Sequence, residues 1–443
     1  MKFMSTALPV FAGRMTACLA LYFSLSCAKA AQDDIERGSR PTVDEVMEVL
    51  SQNGLLRQEQ LLERMLERIG DGQDEHSRYI RDLAGNNLAT VLSFQGDYLS
   101  SIRVFPVSYS KNQNIGAICP VTDRLRLESA GSAISKIAQN KKILIINEAH
   151  HVPETRWLPI AMLPTLKKSG YHYLALEALS EDGASVVERG YANSDTGSYT
   201  NEPLYSELIR RALVLGFTLI RYDTAIDAGQ EERESAQAKN ILKILKDDPS
   251  AKVFIVAGYR HAAKDDQGAG GGTLATRLSA VIKNGVVAID QTSMVSNSGR
   301  AREIAERLLT EFRPSEPSVL VNEQGVPWSM QERNFDATVL LPPNVEVFGR
   351  PNWLSLGGVR APFEIGAPLC NLTFPCLIEA RPIEEASNAV PSDRFVLRNA
   401  DDKSKLYLPA GKYNLLATGI DGQLLHKSEI RVCSGSIDRR IMR

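Results

Sequence analysis

The chain has 443 residues, 43% hydrophobic, 23% charged and 7% aromatic, an ordinary globular usage that excludes a disordered, collagen-like or disulfide-framework protein. With 51 Lys and Arg against 53 Asp and Glu the formal charge is -2, so no basic excess speaks for nucleic acid and no acidic tail for a solvating segment. Partners must be argued from local chemistry, which points to a small-molecule or peptide substrate.

Lys2 and Arg14 precede an apolar stretch, residues 15–27, that ends in Ala28-Lys29-Ala30. A basic start, an apolar run too short to span a bilayer and a small-x-small triplet read as a signal peptide cleaved after Ala30. The expectation is a secreted or periplasmic protein with no transmembrane span after cleavage. A lipoprotein built on Cys27 fits less well, because Leu25 stands one place away from where such a signal carries its bulky residue. Removing residues 1–30 takes away three cations, Lys2, Arg14 and Lys29, and no acid, so the charge moves from -2 to -5. Cys119, Cys370, Cys376 and Cys433 remain, an even number in an oxidising compartment. The short separation of Cys370 and Cys376, with Pro375 between them, makes a bridge the expected pairing; buried free thiols are the alternative.

Residues 42–69 carry apolar side chains at helical spacing, punctuated by Gly54 and Gly70, which predicts two or three helices. Residues 87–105 resemble half of a tetratricopeptide helix pair, but no second copy follows at a fixed period, so plain helical packing is expected. From Ser129 helix-like and strand-like segments alternate, the pattern of a parallel sheet covered by helices. Strands are expected at 143–146, 173–176, 217–220, 253–257 and 286–289, with 319–321 and 338–341 as weaker candidates. Helices are expected near 129–139, 157–169, 203–215, 231–246, 273–283 and 301–312. After about residue 356 the helical period disappears and short apolar runs alternate with turn residues, with Asp421-Gly422 as a hairpin signal. The predicted fold class is α/β, a mostly parallel sheet flanked by helices, with an N-terminal helical segment and a small C-terminal β domain. The expected divisions are a signal at 1–30, helices at 31–127, the core at 128–356 and the β part at 357–443. Asn371-Leu372-Thr373 is a formal glycosylation triplet.

In an open parallel sheet, loops at the carboxyl ends of the strands converge on a ligand. The first core strand runs into Asn147, Glu148, His150 and His151, the second into Glu177, the third into Arg221 and Asp223, and the fourth into Gly258-Tyr259-Arg260-His261. Three of the six histidines therefore fall at one predicted edge, and burying such groups is costly unless they pair with one another or with a ligand. On the following helix Arg233, Gln237 and Asn240 share a face, either solvated or turned toward this edge. His76, His172 and His426 lie outside the pattern, and Trp157 is expected in the core. Gly268, Gly270, Gly271 and Gly272, ahead of a possible N-cap at Thr273, suggest a mobile lid beside His261 rather than a nucleotide loop.

The segment INEAHHVPETRWLPIAMLPTLKKSGYHYLALEAL at 146–179 resembles the opening of the erythromycin esterase-like group, in which Gly-Glu is closely followed by a histidine and a later strand ends in Glu-Ala. RESAQAKN at 233–240 is similar to that family's Arg-acidic helix, and VAGYRH at 256–261 resembles the strand carrying its second histidine. The same histidine motifs resemble the Gly-x-x-His pair of the wider superfamily that includes Tiki/TraB-like metalloproteases and ChaN-like haem-binding proteins. The resemblance covers about 142–291. Asn147 stands where the family has its first glycine; His151 fits the esterase spacing and His150 the Gly-x-x-His spacing, so both stay open.

Three readings follow. In the first, no cofactor is needed: His150 or His151 is the general base for hydrolysis of an ester or lactone, Glu177 or Glu148 orients it, and His261 with Arg156 or Arg221 faces the oxyanion. Asp223, Arg233, Asn240 and Tyr259 would line the substrate. No Gly-x-Ser-x-Gly elbow occurs, which argues against a serine nucleophile. In the second, His150, Glu177 and His261 bind a divalent metal, zinc or manganese, and leave a position for activated water. In the third the protein is a non-enzymatic binder of a small ligand or haem, with Tyr259 as an axial oxygen or as plain cleft wall.

Overall fold

The computed structural model describes residues 41–106, 124–223, 229–264, 271–295 and 299–433. The expected signal with Cys27 and Ala30, Cys119, Gly268 and Gly270 lie outside the described residues. The described residues begin with four helices, α1 (Val43–Ser51), α2 (Leu55–Ile69), α3 (Glu75–Phe94) and α4 (Tyr98–Val104). Thr42, Asp74 and Asp97 cap α1, α3 and α4 by accepting from backbone N–H groups in the first turn, the role for which short polar side chains are suited. The apolar positions read from the helical period, Val46, Leu62, Met65 and Leu88 among them, form one buried cluster.

The core follows in the order β1 (Arg126–Ser129), α5 (Ala130–Ala138), β2 (Ile143–Glu148), α6 (Trp157–Lys168), β3 (Tyr173–Leu176), α7 (Gly183–Arg189), α8 (Pro203–Val214) and β4 (Thr218–Arg221). It continues with α9 (Gln230–Asp247), β5 (Val253–Gly258), α10 (Leu274–Val281), β6 (Val286–Asp290), α11 (Gly299–Phe312), β7 (Ser318–Val321) and β8 (Ala337–Leu340). The seven strands and six helices expected between 129 and 341 are all present, with ends shifted by a few residues. Two further elements lie outside that expectation: β1, a short edge strand with no apolar run, and α7, a single short helix.

The eight strands form one sheet in the order β1-β7-β8-β6-β2-β5-β3-β4. From β8 to β4 neighbouring strands run parallel, and β7 and then β1 add antiparallel pairs at one edge. Strands β2 and β5 are buried along their whole length, as continuous apolar runs in a doubly covered sheet should be. Leu144, Ile146, Phe254 and Val256 pack on one face with residues of α6 and α8, and Trp157 belongs to this core. Ile143, Ile145, Ile255 and Ala257 pack on the other face with α9 and α10. The crossover leaving β2 therefore covers one face and the crossover leaving β5 covers the other. Two adjacent strands whose connections part in this way leave a crevice at their carboxyl ends.

The C-terminal part is antiparallel: β9 (Glu346–Val347) with β10 (Arg350–Pro351), then β11 (Ala361–Gly366), β12 (Cys376–Pro382), β13 (Asp393–Leu397), β14 (Lys403–Leu408), β15 (Gly411–Gly419) and β16 (Leu424–Val432). Strands β13-β12-β15-β16 make one sheet and β11-β14 another, and Asp421-Gly422 lies in the turn between β15 and β16. Cys370 and Cys376 are bonded, with Cα atoms 5.8 Å apart, and Cys433 is a free, exposed thiol. This tail is docked on the rest: Arg210 of α8 meets Glu385 at 2.6 Å, and fully buried Arg350 donates to both oxygens of Asp393 at 2.7 and 3.0 Å while facing the Tyr98 ring. Among the described residues no helix is long and apolar enough to cross a membrane.

Candidate active site

Strand β2 ends at Glu148, 1% exposed, whose two oxygens face different partners. Oε1 accepts from His150 Nδ1 at 3.1 Å, and Oε2 accepts from Arg156 Nε at 3.0 Å. A carboxylate only accepts, so this contact puts the His150 proton on Nδ1 and leaves Nε2 as the free nitrogen. Burial works against the charge on Glu148, but Arg156 and then His150 outweigh it and hold the carboxyl below its usual range. The His150 ring stacks on Tyr199, centroids 3.9 Å apart, and meets the edge of Tyr259. Arg156 comes from the 3-10 turn Pro153–Arg156 and is fully buried; besides Glu148 it reaches Glu202 at 3.2 Å and the His150 carbonyl at 3.0 Å. Glu202 also caps α8 and accepts from the Tyr98 hydroxyl at 2.7 Å.

Strand β3 delivers Glu177. Its Oε1 accepts from Arg233 Nη2 at 2.8 Å and lies 3.4 Å from His261 Nε2, and its Oε2 accepts from the backbone N–H of Gly258. His261, in the 3-10 turn Tyr259–Ala262 that follows β5, places Nδ1 2.8 Å from Glu234 Oε1. Burial favours neutral imidazole, yet Glu177 and then Glu234 outweigh it and raise the His261 pKa above its ordinary value. Both ring nitrogens face carboxylates, as an imidazolium requires. Arg233 also grips both oxygens of Asp223 at 2.9 and 2.6 Å, Gln237 donates to Asp223 at 2.7 Å, and Asn240 donates to the Tyr222 carbonyl at 2.9 Å. The polar stripe of α9 is thus turned toward the crevice and not toward solvent.

Gly258 joins the two halves. A Cβ there would fall 2.6 Å from His150 Cε1 and Nε2 and 3.2 Å from Glu177 Oε2, so the imidazole and the carboxylate meet over a position only glycine leaves open. Tyr259 follows with φ of 42°, a conformation that costs a non-glycine residue about 1–3 kcal/mol and directs the next residues back into the cleft. Its hydroxyl lies 3.0 Å from His151 Nδ1, while the His151 ring lies flat on Phe105 at 3.5 Å. His151 is 5% exposed, and burial, with His150 and Arg156 adding to it, lowers its pKa to about 3. It is a neutral packing histidine.

The structure therefore gathers Glu148, His150, Glu177, His261, Arg233 and Asp223 at the crevice between β2, β5 and β3. Arg156 does not face an oxyanion, because it is fully buried and held by Glu148, Glu202 and the His150 carbonyl. Arg221 remains exposed on edge strand β4. Asn240 holds backbone, and Tyr259 forms a wall behind His150. Sequence reasoning did not assign a role to Glu234, Glu202 or Tyr199. Glu234 stood beside Arg233 inside the α9 motif, whereas Tyr199 and Glu202 come from a loop region with no periodic signal. The glycines ahead of α10 keep positive φ at Gly271 and Gly272, and Thr273 caps the helix by accepting from the Thr276 N–H.

No family model matches the chain. No curated protein matches it either. Among solved structures, it is similar to one described as the structure of the type III effector HopBA1, at 17% identity and a TM-score of 0.27, over 40% of this chain and 90% of that one. Two described as bacterial protein toxins align at 14% and 15% identity, with TM-scores of 0.28 and 0.27, over 54% of this chain and 56% of each of theirs. The chain thus spans about half the length of those toxins, and likenesses this distant carry no argument about function.

Proposed function

We propose that the protein is an exported hydrolase that cleaves an ester, lactone or related bond with its own side chains and no metal. The observation that carries this reading is the convergence on Glu177 of two imidazoles, each fixed through Nδ1 by a separate carboxylate, Glu148 for His150 and Glu234 for His261. In the proposed step His150 Nε2 takes a proton from water as the water oxygen bonds to the substrate carbonyl carbon. The negative charge that forms on the carbonyl oxygen is met by Arg233, whose contacts to Asp223 and Glu177 run through Nε and Nη2 and leave Nη1 for the substrate, while His261 holds Glu177 in place. When the tetrahedral species collapses, the bond to the leaving oxygen breaks and the proton held by His150 passes to it. Arg233 and His150 keep 28% and 18% of their side chains exposed, so a ligand entering the crevice reaches both. The resemblance of residues 142–291 to erythromycin esterase-like proteins points the same way. The exported setting rests on the signal-like residues 1–30 and agrees with a bonded Cys370–Cys376 pair.

The metal reading asks His150, Glu177 and His261 for open donor atoms. Glu177 has both oxygens engaged, one by Arg233 and His261 and one by the Gly258 N–H, and a guanidinium 2.8 Å from the carboxylate puts positive charge where a divalent ion would sit. That donor set does not fit a divalent ion. The haem reading needs a free phenol at Tyr259, whose hydroxyl is buried against His151.

The test is a screen of aryl and alkyl esters, lactones and short peptides with and without chelator. On the substrate found, His150→Gln, Glu177→Gln and His261→Asn should each lower kcat by ~10²–10⁴ with the fold intact by circular dichroism, and chelator should change nothing. Wild-type turnover in all three variants, or activity lost with chelator and restored by zinc or manganese, would overturn the proposal.

A further inference from the structure

A second opening, lined by none of the histidines, lies on the same edge of the sheet. A half-open cleft of about 320 Å³ is lined by the turn after β2, the turn after β6, helix α11 and the residues that follow β8. This is the lower end of the ~300–1,000 Å³ typical of small-ligand sites. A little more than half of its wall is apolar, with Val152, Met294, Val295, Ala305, Leu309 and Leu341 contributing. One buried carboxyl interrupts that wall. Glu154 is 3% exposed, it lines the cavity, and its Oε1 is buried with no hydrogen-bond partner. Arg156, two residues further along the same turn, is committed to Glu148 and Glu202 and does not serve it. Arg302 and Glu306 also line the opening, but pair with each other at 2.7 Å on the solvent-exposed side of α11.

Native proteins rarely leave a buried polar atom unpaired without an occupant that pairs with it. We propose that this cavity is a second binding site, for a neutral, mainly apolar small molecule whose one hydroxyl or amide group pairs with the Glu154 carboxyl. The match is chemical. Burial alone raises the Glu154 pKa well above the usual carboxyl range, so the group is a neutral acid with one O–H to give and one oxygen to receive. An alcohol or an amide offers the complementary acceptor and donor, and the apolar wall takes the rest of the molecule. A cationic ligand would force a carboxylate into apolar surroundings, and an anionic one would find no buried cation. The site shares no residue with the His150 cluster, so failure of either proposal leaves the other standing.

The experiment titrates the full chain with benzamide, benzyl alcohol, toluene and benzylammonium, read by ligand-observed NMR and by the shift in unfolding temperature. Benzamide or benzyl alcohol should bind at least tenfold more tightly than toluene or benzylammonium. Ala305→Trp, which fills the cavity from α11, should abolish binding, and Glu154→Leu should erase the preference over toluene. Ala305→Met serves if the tryptophan variant fails to fold by circular dichroism, with at least a tenfold loss expected. The proposal is overturned if toluene binds as well as the polar probes, if benzylammonium binds best, if no probe binds, or if binding survives a filled cavity.

Discussion

A methyl group on Gly258 would fall 2.6 Å from the His150 ring, although the Gly258 backbone, with φ of -70°, would accept any residue. The demand for glycine is therefore steric and comes from the site. Gly258→Ala should push the imidazole off Glu148 and lower turnover at least tenfold, with a stability loss of about 1–3 kcal/mol from overpacking. Steady-state kinetics and urea unfolding on the same preparation check this; an alanine variant with unchanged turnover would contradict the placement of His150.

Arg156 is a fully buried cation holding two buried carboxylates, Glu148 and Glu202. Arg156→Met leaves both without their counter-charge, and breaking a buried pair in this way costs about 3–5 kcal/mol. The variant should unfold at markedly lower urea concentration, and Arg156→Lys should recover only part of the loss because a single ammonium cannot make the forked contacts. Equal midpoints for wild type and Arg156→Met would show that the pairs do not form.

Two histidines set opposite pH limits on stability. The His151 pKa is depressed to about 3 by burial, so its contribution is fully present above the ordinary imidazole value of ~6.5 and is lost as pH falls from there toward 3. That arm is worth on the order of a few kcal/mol. His261 is raised by Glu177 and Glu234 despite its burial, so its contribution is fully present below ~6.5 and is lost as pH rises through its folded value. Urea midpoints across pH 4–9 should fall on both sides. His151→Gln should flatten the acid side alone and His261→Asn the alkaline side alone, and an exchange of those effects would refute the assignment.

The bridge between Cys370 and Cys376 closes a short loop next to β12, in the core of the C-terminal sheet. Loop-closure entropy for so few residues amounts to about 2 kcal/mol. The double variant Cys370→Ser, Cys376→Ser should unfold earlier by that amount, and a reductant should destabilise the wild type but not the variant.

The sheet was legible because its central strands are continuous apolar runs, and the rim was legible because charged and imidazole side chains follow those runs at each exit. Ile143 to Ile146 and Val253 to Ala257 announce buried strands, and Glu148, Glu177 and His261 come directly after such runs. Which histidine enters the crevice was not legible. His150 and His151 are neighbours, and the choice is made by Phe105, about 45 residues earlier, which takes His151 into a stack, and by Tyr199, which takes His150. Partners that distant leave no local pattern. The same holds for Arg156, which looks like a ligand-binding arginine until Glu202 and the His150 carbonyl account for its donors. Strand β11 leaves no such signal, because Ala361-Pro362-Phe363-Glu364 carries a proline and a charge in place of an apolar run.

The central claim is that His150 and His261 act on one substrate as a single unit. The direct measurement is a double-mutant cycle in kcat/KM on the hydrolysed substrate with His150→Gln, His261→Asn and the pair. The account predicts that the double variant is little worse than the poorer single one. Losses that multiply, or a single variant as active as the wild type, would contradict it.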